Sequence, residues 1–302
     1  MKTLIATFLL LVSQSILAVE PYLDQTDVFP AGMNGITLYR IPGIAVTTKG
    51  TVLAYCEARK NSKSDWGEIE VHLRRSTDGG KTWEPPQQLA HHGHGIQIKS
   101  GRLVVPIWIA YGQTGDHKPS ASGTIYSDDH GKTWQAGDLA VPNEGEHRNA
   151  SETILTELSN GQVLLVARTI STPNRKVIAL SPDGAHHWTT PVFHDQLWEP
   201  VCMAGLVTHP SKPGTIVFSN PHSLQRDSTG KEVQAGRGKR QNLSIKLSRD
   251  DGKTWPVSKT LEKGSSAYSD LAVLPDGTIL CLYEGENKMV CTRFNLEWIE
   301  SP

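Results

Sequence analysis

One eight-residue pattern recurs along the chain and constrains the fold more than any other feature. The pattern Ser-x-Asp-x-Gly-x-Thr-Trp begins at Ser76, Ser127 and Ser248, and a fourth copy with replacements for the Gly and the Thr begins at Ser181. The Ser and Asp side chains can bond the backbone of a tight turn, Gly supplies a positive φ, and Trp packs beneath the turn. The pattern therefore predicts a hairpin turn at four places.

A second repeat is interleaved with the first. A turn glycine followed by β-branched residues or leucine occurs at Gly50, Gly101, Gly161, Gly214 and Gly277, each time after an apolar segment. Such segments predict hairpins of buried strands. One hairpin and one Trp turn give about four strands in each unit of about 50 residues, which is typical of a β-propeller. The repeats predict an all-β propeller with five readable units, and we expect the repeated residues to be structural rather than catalytic.

The N-terminus has the parts of a secretory signal peptide. Lys2 is followed by a short apolar run and then by the small residue Ala18, and the run is too short to span a bilayer. We expect residues 1–18 to be a signal peptide and residues 19–302 to form a single catalytic propeller domain. We see no other segment that predicts a membrane span. The mature protein is expected to be secreted or periplasmic.

Charge and cysteine usage exclude several classes of protein. The 30 basic and 31 acidic residues form no block of one sign, so no nucleic-acid partner is expected. Cys56, Cys202, Cys281 and Cys291 form no C-x-x-C pair, and the histidine-rich stretch at 91–94 has no carboxylate at useful spacing, so no metal is expected. Cys281 and Cys291 could pair across a hairpin, or all four cysteines could be buried free thiols.

A resemblance to a known family rests on polar residues that occur in order between the Trp turns. With Tyr39-Arg40-Ile41-Pro42 ahead of the first turn, the chain resembles the exo-α-sialidase (neuraminidase) family, in which the Trp turn is called the Asp box. It is similar to bacterial sialidases and, in its last third, to the animal lysosomal sialidase. The resemblance extends from about Tyr39 to Glu284 and implies a sialidase-type β-propeller.

The blade number departs from the family pattern. The resemblance implies six blades, but between the first Asp box and Glu152 the chain holds only one glycine hairpin, at Gly101, and one Asp box, at Ser127, so one blade is missing. Two outcomes are open at this point. The ring could have five blades, or a sixth blade could be assembled from the stretch Val28–Leu38 and the C-terminus.

Sialoside chemistry requires permanent positive charge, because the substrate carries a carboxylate on its anomeric carbon. Arginine binds a carboxylate with two parallel hydrogen bonds. The resemblance implies this role for Arg40, Arg168 and Arg240, each of which taken alone would be a solvated residue at a strand end. It also implies an additional pocket arginine, Arg59, and an acid, Glu284, that holds Arg40 in place.

The resemblance also implies the reacting groups. Sialidases use a tyrosine in place of the carboxylate nucleophile of most glycoside hydrolases, and Tyr268 matches that position. A phenol with a reference pKa of about 10 needs a base beside it, and Glu152 matches the base. Asp65 matches the acid/base residue, with Glu68 as the competing carboxylate. No organic cofactor is implied.

The expected function is therefore that of an exo-sialidase. Its substrates would be sialylated glycans or gangliosides, cleaved with retention of configuration. Two alternative functions are also consistent with the sequence. One is a non-catalytic glycan-binding propeller, and the other is a hydrolase of another 2-keto-3-deoxy sugar acid, because an arginine clamp reads only the shared carboxylate.

Overall fold

The computed structural model describes residues 20–60, 69–89, 95–111, 117–170, 173–233 and 240–302. The predicted signal peptide, residues 1–18, lies outside the described residues. So does the histidine-rich stretch at 91–94.

Nearly all regular structure is β-strand, as the repeats predict. In chain order the strands are β1 (Leu23–Pro30), β2 (Leu38–Val46), β3 (Val52–Arg59), β4 (Ile69–Ser76), β5 (Gln87–Leu89), β6 (Ile96–Gln97), β7 (Leu103–Ala110), β8 (Ser120–Ser127), β9 (Gln135–Val141), β10 (Thr153–Glu157), β11 (Val163–Ala167), β12 (Arg175–Ser181), β13 (Val192–Trp198), β14 (Gly205–Thr208), β15 (Ile216–Pro221), β16 (Gln225–Arg226), β17 (Glu232–Val233), β18 (Gln241–Ser248), β19 (Val257–Ser265), β20 (Ser269–Val273), β21 (Ile279–Gly285) and β22 (Lys288–Phe294). A short 3-10 turn covers Met33–Gly35, and the helix α1 (Leu296–Glu300) follows β22.

The described strands form a five-bladed propeller. Blade 1 has the strand order β2-β3-β4-β5, blade 2 β6-β7-β8-β9, blade 3 β10-β11-β12-β13, blade 4 β14-β15-β18-β19 and blade 5 β20-β21-β22-β1. All pairings within these sheets are antiparallel, and the strands β16 and β17 form a separate hairpin inserted in blade 4. The expectation of five units is confirmed.

The two ends of the chain meet in blade 5. Strand β1 pairs with β22 in register from Leu23 opposite Phe294 to Pro30 opposite Lys288, with one bulge. The alternative of a sixth blade built from Val28–Leu38 and the C-terminus is wrong, because the N-terminal strand is used as the fourth strand of the fifth blade. Pairing of the first strand with the last closes the ring and leaves no open edge there.

Hydrophobic cores fill four of the five junctions between neighbouring blades. They lie between blades 5 and 1, 4 and 5, 2 and 3, and 3 and 4. Among the described residues none of these cores joins blade 1 to blade 2. A cavity extends into that junction, and its wall includes Tyr55 and Val71 of blade 1 and Trp108 of blade 2. Among the described residues, the junction of blades 1 and 2 therefore holds a cavity where the other four junctions hold hydrophobic cores.

The four Asp boxes lie between the third and fourth strands of blades 1 to 4, at one end of the ring that we call the turn end. In the first box the Ser76 hydroxyl accepts the N–H of Gly80 at 2.8 Å and donates to the Asp78 carboxylate. Gly80 has a φ of +86°, which an L side chain rarely adopts. The glycine hairpin turns lie at the same end, since Arg102, beside Gly101, pairs with Asp183 of the box in blade 3 at 2.8 Å.

The cysteines do not pair. Cys281 lies opposite Thr292 rather than Cys291, and the two thiols enter different cores, on opposite faces of blade 5. All four cysteines are free and buried. The possible Cys281–Cys291 disulfide is wrong, and the alternative of buried free thiols holds.

No helix in the described ranges has the length and apolar character required to cross a membrane.

Candidate active site

The predicted site residues that the structure describes lie at the end of the ring opposite the Asp boxes, which we call the pocket end. Glu152 comes directly before β10, Arg168 directly after β11, Arg240 directly before β18 and Tyr268 directly before β20. Inner strands begin, and second strands end, at the same edge of an antiparallel blade. The third strand β18 also begins at this edge, so the topology brings residues from blades 3, 4 and 5 to one mouth, together with Arg40 near the start of β2 in blade 1.

These residues line one cavity of about 660 Å³. The three predicted clamp arginines, Arg59, Glu152 and Tyr268 are all in its wall. Glu284 lies behind the wall and contacts Arg40. Asp65 and Glu68 lie outside the described residues, so the acid/base assignment stays a prediction.

Tyr268 sits at the centre of a polar triad in which Tyr268 and Arg168 are buried and Glu152 is partly exposed. Its hydroxyl donates to Oε1 of Glu152 at 2.5 Å. Nη1 of Arg168 donates to the same hydroxyl at 2.8 Å, and also to Oε2 of Glu152. The Tyr268 side chain is 5% exposed. The phenol is thus held between a base and a cation.

The electrostatics keep Tyr268 protonated at rest. Burial, followed by the negative charge of Glu152, raises the pKa of Tyr268 above its ordinary value. For Arg168, burial opposes the charged form, but the neighbouring Glu152 and Tyr268 raise the pKa of the guanidinium overall. The resting pair is a neutral phenol that donates to Glu152 beside a permanently charged arginine. Because ionising the phenol unaided is costly, a nucleophilic Tyr268 would need a proton acceptor, and the Glu152 carboxylate lies within hydrogen-bond distance of its hydroxyl.

Two further arginines flank the Tyr268 ring. The guanidinium carbons of Arg40 and Arg240 lie 5.3 Å and 5.1 Å from the ring centroid, within the range of cation–π attraction. Nε of Arg40 donates to Oε1 of Glu284 at 3.1 Å, as the sequence predicts for that acid. Nη2 of Arg240 donates to the carbonyl of Val201. Arginines from three separate stretches of chain therefore converge on one tyrosine.

Two arginine nitrogens at the site are buried without a hydrogen-bond partner. They are Nε of Arg168 and Nε of Arg240. A buried N–H that lacks an acceptor costs about 1–3 kcal/mol. An anionic ligand in the cavity could satisfy such donors.

Arg59 is almost fully buried, with only 2% of its surface exposed. Its Nη2 lies 2.6 Å from Oε2 of Glu57, and both residues line the cavity. Arg59 is thus a fourth arginine in the wall, and it pairs with Glu57 of the same strand, β3.

The backbone beside the site residues is strained. Ile41, which follows Arg40, has a φ of +55°, and Val201, whose carbonyl receives Arg240, has a φ of +58°. A left-handed conformation is a genuine outlier for β-branched residues. The N–H of Ile41 donates to Oε1 of Glu284 at 2.9 Å, so the same carboxylate holds the strained residue and its arginine.

Sequence reasoning missed an aromatic pair on the far wall of the cavity. The rings of Trp108 and His117 stack with centroids 4.9 Å apart and an interplanar angle of 16°. Both line the cavity beside Lys118. The available signal was Trp108 itself, an aromatic residue in a strand otherwise made of aliphatic residues and Pro106.

Comparisons with known proteins identify the family. The family described as BNR repeat-like domain matches residues 34–281. A curated sialidase of Micromonospora viridifaciens is 26% identical over 382 residues, covering 93% of this chain and 55% of the relative. The chain spans about half the length of the curated relatives it matches.

Solved structures show the same fold. A Hadza microbial sialidase superposes with a TM-score of 0.68 at 22% identity, covering 90% of this chain and 68% of that chain. The Trypanosoma rangeli sialidase in complex with the inhibitor DANA superposes with a TM-score of 0.60 at 15% identity, covering 90% and 59% of the two chains.

Proposed function

Because the chain belongs to the BNR repeat-like domain family of sialidases, we propose that it is an exo-sialidase, a retaining glycoside hydrolase that removes terminal sialic acid from glycans or gangliosides. One observation carries the proposal. The Tyr268 hydroxyl lies between the Glu152 carboxylate and the Arg168 guanidinium, in a cavity that two further arginines enter. Residues 1–18 would export the protein as a signal peptide.

The arginines bind the substrate carboxylate. Arg40, Arg168 and Arg240 surround the tyrosine ring, and two of their Nε donors have no acceptor in the described structure. A carboxylate on the anomeric carbon would accept these donors and bring that carbon against the phenol oxygen. Charge-assisted hydrogen bonds of this kind are short and strong in a desolvated site.

Tyr268 is the nucleophile. An anionic nucleophile would be repelled by the substrate carboxylate, whereas a neutral phenol is not. As the bond from the Tyr268 oxygen to the anomeric carbon forms, the phenol proton passes to Glu152 and the bond to the leaving oxygen breaks. Water then attacks the same carbon, the bond to Tyr268 breaks, and the phenol recovers its proton. Two displacements give net retention.

Asp65 protonates the leaving oxygen and then deprotonates the attacking water. A substrate with an activated aryl leaving group needs little protonation. Asp65→Ala should therefore lose much more activity on 3′-sialyllactose than on an aryl sialoside. If Glu68→Gln shows this difference and Asp65→Ala does not, Glu68 is the acid.

The decisive experiment is hydrolysis of 3′-sialyllactose by the full chain, followed by NMR. The first sialic acid released should have the α configuration. Tyr268→Phe should lower kcat by about a thousandfold or more, as expected for loss of a nucleophile. Tyr283→Phe is the matched control, because Tyr283 is a fully buried tyrosine of the same blade that lies outside the cavity wall, and it should retain wild-type kcat.

Other outcomes would replace the proposal. Binding of DANA without turnover would favour the non-catalytic glycan-binding propeller. Faster cleavage of a ketoside that lacks the N-acetyl group would favour a hydrolase of another 2-keto-3-deoxy sugar acid. Full activity of Tyr268→Phe would refute the nucleophile assignment.

A further inference from the structure

A fully buried ion pair lies behind the arginines and outside the cavity wall. Nζ of Lys176 and Oε2 of Glu199 are 2.8 Å apart, and each side chain is 1% exposed. Replacing a buried ion pair with apolar residues of similar volume is often neutral or stabilising. Stability alone therefore does not explain why the chain buries two charges here.

The contacts of Glu199 point to the two clamp arginines on this side of the ring. Its Oε2 accepts the N–H of Thr169, the residue after Arg168, at 3.2 Å. Its Oε1 accepts the N–H of Cys202, the residue after Val201, at 2.9 Å. One carboxylate thus joins the backbone that carries Arg168 to the turn whose carbonyl receives Arg240.

Glu199 bonds to the turn at Val201, whose backbone is strained. Val201 has a φ of +58°, and its carbonyl accepts Nη2 of Arg240. Glu199 also donates its own N–H to the carbonyl of Asn174 at 2.9 Å, and Lys176 donates to the carbonyl of Cys202. The turn is therefore bonded on both sides of Val201. A β-branched residue keeps a left-handed conformation only where its surroundings impose it.

We propose that Glu199, held by Lys176, is a positioning residue that sets Arg168 and Arg240 for one substrate carboxylate. This inference rests on the proposed sialidase function. Glu199 touches no substrate. It acts by keeping the Val201 carbonyl directed at Arg240 and the Thr169 backbone fixed beside Arg168. Without it, Val201 relaxes to a negative φ and Arg240 loses its acceptor.

The test uses the double variant Lys176→Met/Glu199→Gln, which removes both charges together and leaves no unpaired buried charge. Titration calorimetry at 25 °C should show at least a tenfold loss of affinity for DANA. KM for 3′-sialyllactose should rise by a similar factor, with a smaller change in kcat, because the carboxylate clamp acts on bound substrate and transition state alike. Lys176→Arg, which keeps the positive charge, should bind DANA more tightly than the double variant.

Lys246→Met is the matched control. Lys246 is also a buried lysine whose ammonium donates to a main-chain carbonyl between blades 3 and 4, that of Gln196, and it lies outside the cavity wall. This variant should lose thermal stability but bind DANA within twofold of wild type.

A crystal structure of the double variant separates this inference from the proposed function, since it needs no ligand. Movement of Arg240 away from Val201, with Val201 at a negative φ, supports the positioning role. An unchanged Val201 and Arg240, or DANA affinity within twofold of a binding wild type, overturns it. If wild type neither binds DANA nor cleaves sialosides, the sialidase proposal fails, and the variant structure still decides whether Glu199 positions the arginines.

Discussion

The two ends of the propeller are held in different ways. At the turn end, each Asp box satisfies its own backbone within eight residues, as Ser76, Ser127 and Ser248 show by accepting the N–H of the glycine four positions later. At the pocket end, the contacts join distant segments. The Arg40–Glu284 pair is separated by 244 residues and the Tyr268–Glu152 pair by 116.

This difference between the two ends implies that the turn end determines stability and the pocket end determines activity. The Asp boxes of the turn end are repeated and bond their own backbone, although pairs such as Arg102–Asp183 also join neighbouring blades there. A lesion in a box should therefore cost stability and leave the site intact. The pocket end contains residues that occur once and strained β-branched positions such as Ile41 and Val201. A lesion there should cost activity at little expense in folding, because strain at functional sites is maintained by the surrounding fold.

The sharpest test of this comparison uses the two ends of one strand, β10. Glu152 precedes β10 at the pocket end, and Glu157 ends β10 at the turn end, where its carboxylate accepts the N–H of Lys99. Glu152→Gln should lower kcat by about 10²–10⁴-fold, the usual contribution of a general base. Glu157→Gln should leave kcat unchanged. Steady-state kinetics on 3′-sialyllactose measures both, and equal losses in the two variants would remove the distinction between the ends.

A smaller effect is expected from the first Asp box. Ser76→Ala removes the acceptor of the buried Gly80 N–H. Leaving such a donor unsatisfied should lower the free energy of unfolding by about 1–3 kcal/mol. Urea unfolding measures this loss, and kcat/KM at 25 °C should equal that of wild type.

Ser181→Ala in the divergent fourth box provides a comparison, because Ser181 also accepts the N–H of a glycine, Gly184, at 2.9 Å. A loss of activity without loss of stability in either variant would contradict the separation of the two ends.

The sequence predicts the turns of the turn end almost completely, because each Asp box is specified by residues within eight positions of one another. Repeated Ser, Asp, Gly and Trp at fixed spacing are sufficient to predict four turns and five hairpin units. The order of the polar residues between the boxes also predicts six of the residues that reach the cavity, but not the Trp108–His117 pair. Arg40, Arg59, Arg168, Arg240, Glu152 and Tyr268 all line it. Their chemical roles remain predictions.

What the sequence did not predict depends on pairing between distant segments. Strand β1 joins β22, which no local pattern indicates. From the sequence, Cys281 and Cys291 could face each other across a hairpin. In the structure Cys281 lies opposite Thr292, and a register offset of one residue puts side chains on opposite faces of a strand. The Lys176–Glu199 pair was missed because a charged residue in a sequence predicts exposure, and only a partner from another segment allows it to be buried.

The smallest effect concerns acid stability and again belongs to the turn end. Hydrogen bonds from Thr82 hold the pKa of Asp78 below its ordinary value, and those from Thr133 lower the pKa of Asp129 to about 2. A carboxyl whose folded-state pKa lies below its unfolded value of about 3.9 stabilises the fold at higher pH. That stabilisation is lost as the pH falls from about 4 towards 2.

Asp78→Asn/Asp129→Asn should therefore be less stable than wild type at pH 6, and the difference should shrink between pH 4 and pH 2. Urea unfolding at pH 6, 4 and 2.5 measures it. Because neither carboxylate is buried, solvent screening keeps the effect below that of Ser76→Ala. A stability difference that stays constant across this range would mean that the box carboxylates act by shape and not by charge.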